Sequence, residues 1–193
     1  AICILSQAAH AAYQRIQTMK SIFSVGQRKI QIEDVGDANG LPVIFHGGTA
    51  GSSTLLDDWV QDAHAHGVRL IGHARPGYGD STRMEGRSVS DAADDVLHIA
   101  QHLGLSRFAT IGASGGGPHA IATAALLPDR VIAAVSMASP APFEATGLDW
   151  FAGMEAGGAA EYRAAQSGRE AMEAFARDAL PGIVNTSPDD MAI

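Results

Sequence analysis

The residues with the most chemistry in them stand at 112–116. Gly112-Ala113-Ser114-Gly115-Gly116 has the spacing G-x-S-x-G, which sets one hydroxyl in the middle of a turn too tight for a Cβ two residues to either side. A short apolar run precedes the motif and an alanine-rich stretch follows it. The turn therefore joins a buried strand to a helix and lifts Ser114 above the sheet in a strained backbone. A hydroxyl presented in that way is suited to attack an acyl carbon. The amide of Gly115, at the helix N-terminus, would face the negative charge that develops on the attacked carbonyl.

Two other glycine patterns compete and fail. Gly115, Gly117 and Ala120 fit G-x-G-x-x-A, but this unit is a late strand rather than the first. The next strand ends in Met137-Ala138-Ser139-Pro140 with no acid to take a ribose. Gly47-Gly48-Thr49-Ala50-Gly51-Ser52-Ser53 lacks the lysine of a phosphate loop. His98 and His102 share a helix face at i and i+4; without a third ligand nearby in sequence they read as a solvated face, not a metal site. His119 follows Ser114 by five residues on the next helix, and its ring is expected to point away from the hydroxyl, toward the helix surface or a pocket wall.

The elements that must carry these residues alternate strand with helix. Residues 22–25 and 29–35 alternate apolar and polar side chains about Gly26 and predict a hairpin, with Ile30, Ile32 and Val35 set against Lys29, Gln31 and Glu33. Pro42 to Phe45 is a short apolar run of the kind buried on both sheet faces, Val68 to Gly72 is the next buried strand, and Phe108 to Gly112 and Val131 to Met137 read as further strands. Between them, helices are expected over 53–66, over 90–103 with Ser90 as cap, and over 116–127. Residues 148–181 are alanine-rich, helical and interrupted by glycines. The alternation predicts an α/β fold, a mainly parallel sheet with helices on both faces.

Composition sets the outer bounds. The chain has 193 residues, 46% hydrophobic and 18% charged, enough for one globular core. Its 13 basic and 21 acidic residues give a net charge of -8, which speaks against nucleic acid as a partner. No apolar run approaches the roughly 18 residues of a membrane helix. A single cysteine, Cys3, leaves no internal disulfide or cysteine zinc site, and a cytoplasmic location is the default expectation. Residues 1–18 read as an extension outside the fold, 19–143 as the core and 144–193 as an incomplete helical cap. Pro188-Asp189-Asp190 has the composition of a helix opening.

Taken in order, Pro42-Val43-Ile44-Phe45-His46-Gly47-Gly48, Arg75-Pro76-Gly77-Tyr78-Gly79-Asp80-Ser81 and Gly112-Ala113-Ser114-Gly115-Gly116 resemble the α/β-hydrolase fold superfamily, in its esterase and peptidase-like branch. The resemblance covers residues 22 to about 140 and implies a serine hydrolase acting on a small-molecule ester, thioester or amide through an acyl-enzyme on Ser114, without a cofactor. By the same resemblance the amides of Gly48 and Gly115 form the oxyanion hole, and the loop Arg75 to Ser81 packs beside the elbow. Ala74 departs from the aspartate many members carry before the arginine. His46 is expected to brace the oxyanion loop through hydrogen bonds.

The family's acid and histidine follow its seventh and eighth strands and find no counterpart here. Glu144 and Asp149 follow the sixth strand, where some members place the acid. Without the acid and histidine, the 193 residues by themselves are expected to be nearly inert. Two readings stand beside the hydrolase: a non-catalytic fragment or binding module with this core, and a cofactor-free haloperoxidase-like or lyase-like member. The strand at 131–137 is expected to be an open edge, covered by a further C-terminal segment, a partner chain or a second copy.

Overall fold

The hairpin expected from period-two alternation is present. The computed structural model describes residues 19–49 and 51–185. In it β1 (Met19–Val25) and β2 (Arg28–Val35) pair antiparallel about Gly26, whose φ of +59° suits a residue without a Cβ. Ile30 and Ile32 are buried as the alternation requires. Glu33 and Asp34 are buried too, because β2 also pairs along β4 (Val68–His73) and its polar end lies inside the sheet. Arg69 on that neighbour answers Asp34 with a two-pronged contact at 3.0 and 2.6 Å.

The remaining strands, β3 (Leu41–His46), β5 (Phe108–Ala113) and β6 (Val131–Met137), complete a six-stranded sheet in the order β1-β2-β4-β3-β5-β6. The pairs β3/β4, β3/β5 and β5/β6 are parallel. The sheet is thus mixed and mostly parallel, with β3 beside the strand that ends at the elbow.

Helices cover both faces because neighbouring strand residues point opposite ways. Ile44, Ile71 and Phe108 meet Val96, Ile99 and Ala100 of α2 (Asp91–His102) on one face. Phe45 and Leu70 meet Val60 of α1 (Asp57–Ala65) on the other. Helix α3 (Gly117–Leu126) packs against β5, β6 and α2.

Local structure departs from the sequence expectation at two helix starts. The first helix begins at Asp57 rather than 53 because Ser53 and Leu55 are drawn into the core. The Ser53 hydroxyl accepts from Gln31 Nε2 at 2.7 Å, and Leu55 joins the cluster beneath α1. Ser90 precedes α2 but its side chain does not cap it. The Asp91 carboxylate instead accepts from the backbone amide and hydroxyl of Ser88 at 2.5 and 2.8 Å.

The chain divides into two compact units between Ala141 and Pro142. In the second, Trp150 packs edge-on against Phe143, Phe151 and Tyr162, and Arg163 lies over the Phe151 ring at 4.6 Å. The Glu155 carboxylate caps α4 (Ala156–Gln166) by accepting from the amides of Gly157 and Gly158. Gly168, at φ +104°, separates α4 from α5 (Arg169–Asn185). The readings made for residues 1–18 and for 188–190 lie outside the described residues.

β6 is the last strand of the sheet among the described residues, and Ile132, Val135 and Met137 on it are exposed.

Candidate active site

Strand β5 runs into a single 3₁₀ turn, Ser114–Gly116, and that turn into α3. Ser114 has φ +50°. The left-handed region costs an L-residue about 1–2 kcal/mol, so the surroundings must impose it. Two glycines do so. A Cβ on Gly112 would fall 2.5 Å from the Gly116 carbonyl carbon and 2.7 Å from Gly117 Cα. One on Gly116 would run into the end of β3, on top of the His46 carbonyl oxygen and 2.6 Å from that of Gly47. The turn is therefore wedged against the neighbouring strand with its serine outward and exposed.

The same wedge brings the loop after β3 over the serine. A Cβ built on Gly48 would lie 3.3 Å from Ser114 Cβ, a tight contact, and 3.8 Å from its Oγ, so Gly48 sits directly opposite the hydroxyl. Gly115 faces Thr49, whose amide nitrogen would be 3.3 Å from a Cβ placed there. Ser114, Gly48 and Gly115 thus come together. Thr49 joins them unforeseen by the sequence reading.

His46 does not brace the loop in the way expected. Its ring spans sideways inside the protein: Nδ1 is 3.1 Å from His73 Nε2 and Nε2 is 3.4 Å from the Thr123 hydroxyl. The loop is held instead by Arg75, which donates to the carbonyls of Gly47 and Gly48, the latter at 2.8 Å, and lies 5.1 Å from the Tyr78 ring centroid. Buried Ala74 offers Arg75 no carboxylate, and the two loop carbonyls serve in its place. His73 was missed in sequence. The available signal was that β3 and β4 each end in histidine, and the parallel register sets His46 beside His73.

His119 Nδ1 lies 2.9 Å from the Gly115 carbonyl, and the residue is buried, on a cavity wall rather than on the helix surface. His102 is exposed, as a solvated face requires, and stacks flat on Phe23 with ring centroids 4.1 Å apart. No group of three potential metal ligands occurs among the described residues. Glu144 is exposed in the second unit, and Asp149 there accepts from the Phe151 amide at 3.3 Å.

Burial keeps the three histidines neutral. It lowers His46 well below 6.5, with His73, His119 and Arg75 adding to the effect. His73 falls to about 3, through burial first and then the charges of Arg75 and His119. His119 falls to about 4 for the same leading reason, partly offset by its bond to Gly115.

The unfolded chain binds protons on these rings near pH 6.5 and the folded chain does not. Stability is therefore complete above about pH 6.5 and declines as pH falls from there toward the folded values. His73 alone is expected to cost about 2 kcal/mol at pH 5 relative to pH 7. Urea melts at the two pH values check this. A midpoint that does not move would contradict it.

A mostly parallel sheet between helices, a serine at positive φ on a strand–turn–helix junction and a glycine loop facing it define the α/β-hydrolase class of fold. A family model described as alpha/beta hydrolase fold matches residues 42–180, and the chain belongs to that family.

Among relatives, it is 36% identical over 112 residues to a non-heme chloroperoxidase of Streptomyces lividans, covering 57% of this chain and 41% of that protein. It is 31% identical over 116 residues to a bifunctional esterase/perhydrolase of Acinetobacter calcoaceticus, covering 57% and 40%. The chain spans about two fifths of the length of these curated relatives.

Among solved structures it is similar to a proline iminopeptidase-related protein from Thermus thermophilus, with TM-score 0.60 and 19% identity over 91% of this chain and 59% of that one. It is also similar to 2-hydroxy-6-oxo-6-phenylhexa-2,4-dienoate hydrolase from a Rhodococcus species, with TM-score 0.59 and 18% identity over 67% and 50%. Among the described residues, no helix is long and apolar enough to cross a membrane.

Proposed function

We propose that the chain carries the nucleophile half of a serine hydrolase acting on a small acyl substrate, an ester, thioester or amide. The observation that carries this reading is Ser114, exposed at φ +50° and closely faced by Gly48, where an added Cβ would lie 3.3 Å from the serine Cβ. In the reaction, Ser114 Oγ bonds to the acyl carbon and gives its proton to a base. The carbonyl π electrons move onto oxygen, where the amides of Gly48 and Gly115 donate to them. Collapse expels the alcohol, thiol or amine with that proton, and water then releases the acid from the acyl-serine.

In this reading base and acid come from outside the described residues, since the hydrogen bonds of His46, His73 and His119 go to one another, to Thr123 and to the Gly115 carbonyl, and none goes to the Ser114 hydroxyl. The relatives' names include an esterase/perhydrolase and a chloroperoxidase. They support a second reading, in which hydrogen peroxide takes the acyl group in place of water. The exposed edge of β6 is, in the same proposal, covered in the working protein by further chain or by a partner. A cytoplasmic location is the reading the single cysteine favours.

A fluorophosphonate probe tests the nucleophile, because only an activated serine is phosphonylated at a useful rate. Applied to the protein extended over the length of its relatives, it is expected to label Ser114, and the label should vanish in Ser114→Ala. Modification of another residue, or none at all, would favour the binding-module reading instead.

A further inference from the structure

Between the end of β4, the loop leading into α2 and the first turn of α3 lies a cavity of about 10 Å³, lined by His73, Arg75, Arg87, Asp91, Asp95 and His119. Hydrogen-bond logic fixes what its walls present. The Thr123 hydroxyl donates to the His119 carbonyl at 2.8 Å, so toward His46 it can only accept. His46 therefore carries its proton on Nε2, its Nδ1 accepts, and the N–H of the His46–His73 contact belongs to His73 Nε2. That leaves His73 Nδ1 as a bare acceptor, fully buried and with no partner among the described residues. Arg75 Nε–H is a buried donor in the same condition, its two other nitrogens being given to Gly47 and Gly48. His119 donates from Nδ1 to the Gly115 carbonyl, so its remaining nitrogen is a second acceptor on the wall.

We propose that this cavity is a binding site for one water molecule, which accepts from Arg75 Nε and donates to His73 Nδ1 and His119 Nε2. One donor and two acceptors match the roughly three bonds a buried water makes, and the volume holds one such molecule. An anion would meet two imidazole lone pairs, and a cation would meet the guanidinium of Arg75. Neither carboxylate competes, since Asp95 is paired with Arg28 and Asp91 with Ser88.

The water joins the arginine that holds the Gly47–Gly48 loop to the histidine chain behind it, making it a positioning element for that loop. Only this last consequence rests on the serine-hydrolase reading.

Long-range ¹H–¹⁵N correlation spectra of the full chain report which imidazole nitrogens carry protons, and water relaxation dispersion counts long-lived internal waters. The expected result is protons on His46 Nε2, His73 Nε2 and His119 Nδ1, with one long-lived water lost in His73→Phe, where the ring removes the acceptor. A proton found on His73 Nδ1, or an unchanged count in a folded His73→Phe, would overturn the proposal. If that variant does not fold, the wild-type tautomers alone decide. Neither readout involves hydrolysis, so failure of the serine assignment leaves this result intact and the converse holds.

Discussion

Replacing Ser114 by alanine is expected to lower ester turnover by on the order of 10⁶-fold in a protein that also supplies the base and acid, with KM little changed. The direction follows from the geometry: the elbow holds a single hydroxyl opposite Gly48, and among the described residues no other side-chain hydroxyl stands at positive φ beside that loop. The residual rate should stay roughly 10³ to 10⁴ above water, because the Gly48 and Gly115 amides survive the substitution. Among the described residues no imidazole is hydrogen bonded to the Ser114 hydroxyl, so the 193 residues alone are expected to show only such background. p-Nitrophenyl ester hydrolysis by the extended protein, its Ser114→Ala variant and the 193-residue chain separates the cases. Turnover that survives Ser114→Ala would remove the serine mechanism. Turnover by the short chain that disappears in its own Ser114→Ala variant would place a base within it.

Strands and elbow were legible because their signals are local. The short apolar runs that end in β3 and β4 call for strands buried in the sheet, the run at 131–137 forms a strand although it stays largely exposed, and the glycines at 112 and 116 announce a turn. Helix α1 was drawn too long because the apolar stripe continues through Leu55, a side chain equally content beneath the helix as in it. Ser90 has the composition of a cap, but Asp91 and Ser88 reach a better arrangement between themselves.

The brace on the loop was invisible for a different reason. Arg75 and His73 meet Gly47, Gly48 and His46 only through the parallel register of β3 and β4, contacts across 27 or 28 residues for which the sequence carries no periodic mark. Residues that act through backbone carbonyls leave no partner residue type to find.

Gly116→Ala is expected to cost about 3 kcal/mol or more, which for a chain of this length lowers the melting temperature by roughly 6–12 °C. The new methyl would fall on the His46 carbonyl oxygen and within 2.7 Å of its carbon, and both belong to the backbone of β3. That backbone is fixed on both sides, by β4 and by β5, so it cannot yield without breaking a parallel ladder.

Gly115→Ala makes the contrast. There the Cβ meets the Thr49 hydroxyl at 2.5 Å, which rotation about χ1 relieves, and the Thr49 amide at 3.3 Å, which needs a shift of a few tenths of an ångström. Its stability cost is expected to stay near about 1 kcal/mol. On the proposed serine-hydrolase reading its effect on kcat should reach up to about 10²-fold, because the loop displaced carries Gly48, proposed as one of the two oxyanion donors. Thermal melts and kcat for both variants test the pair together. Gly116→Ala melting with the wild type would mean the elbow is not wedged against β3. Gly115→Ala turning over at the wild-type rate would mean that the loop bearing Gly48 and Thr49 takes no part in catalysis.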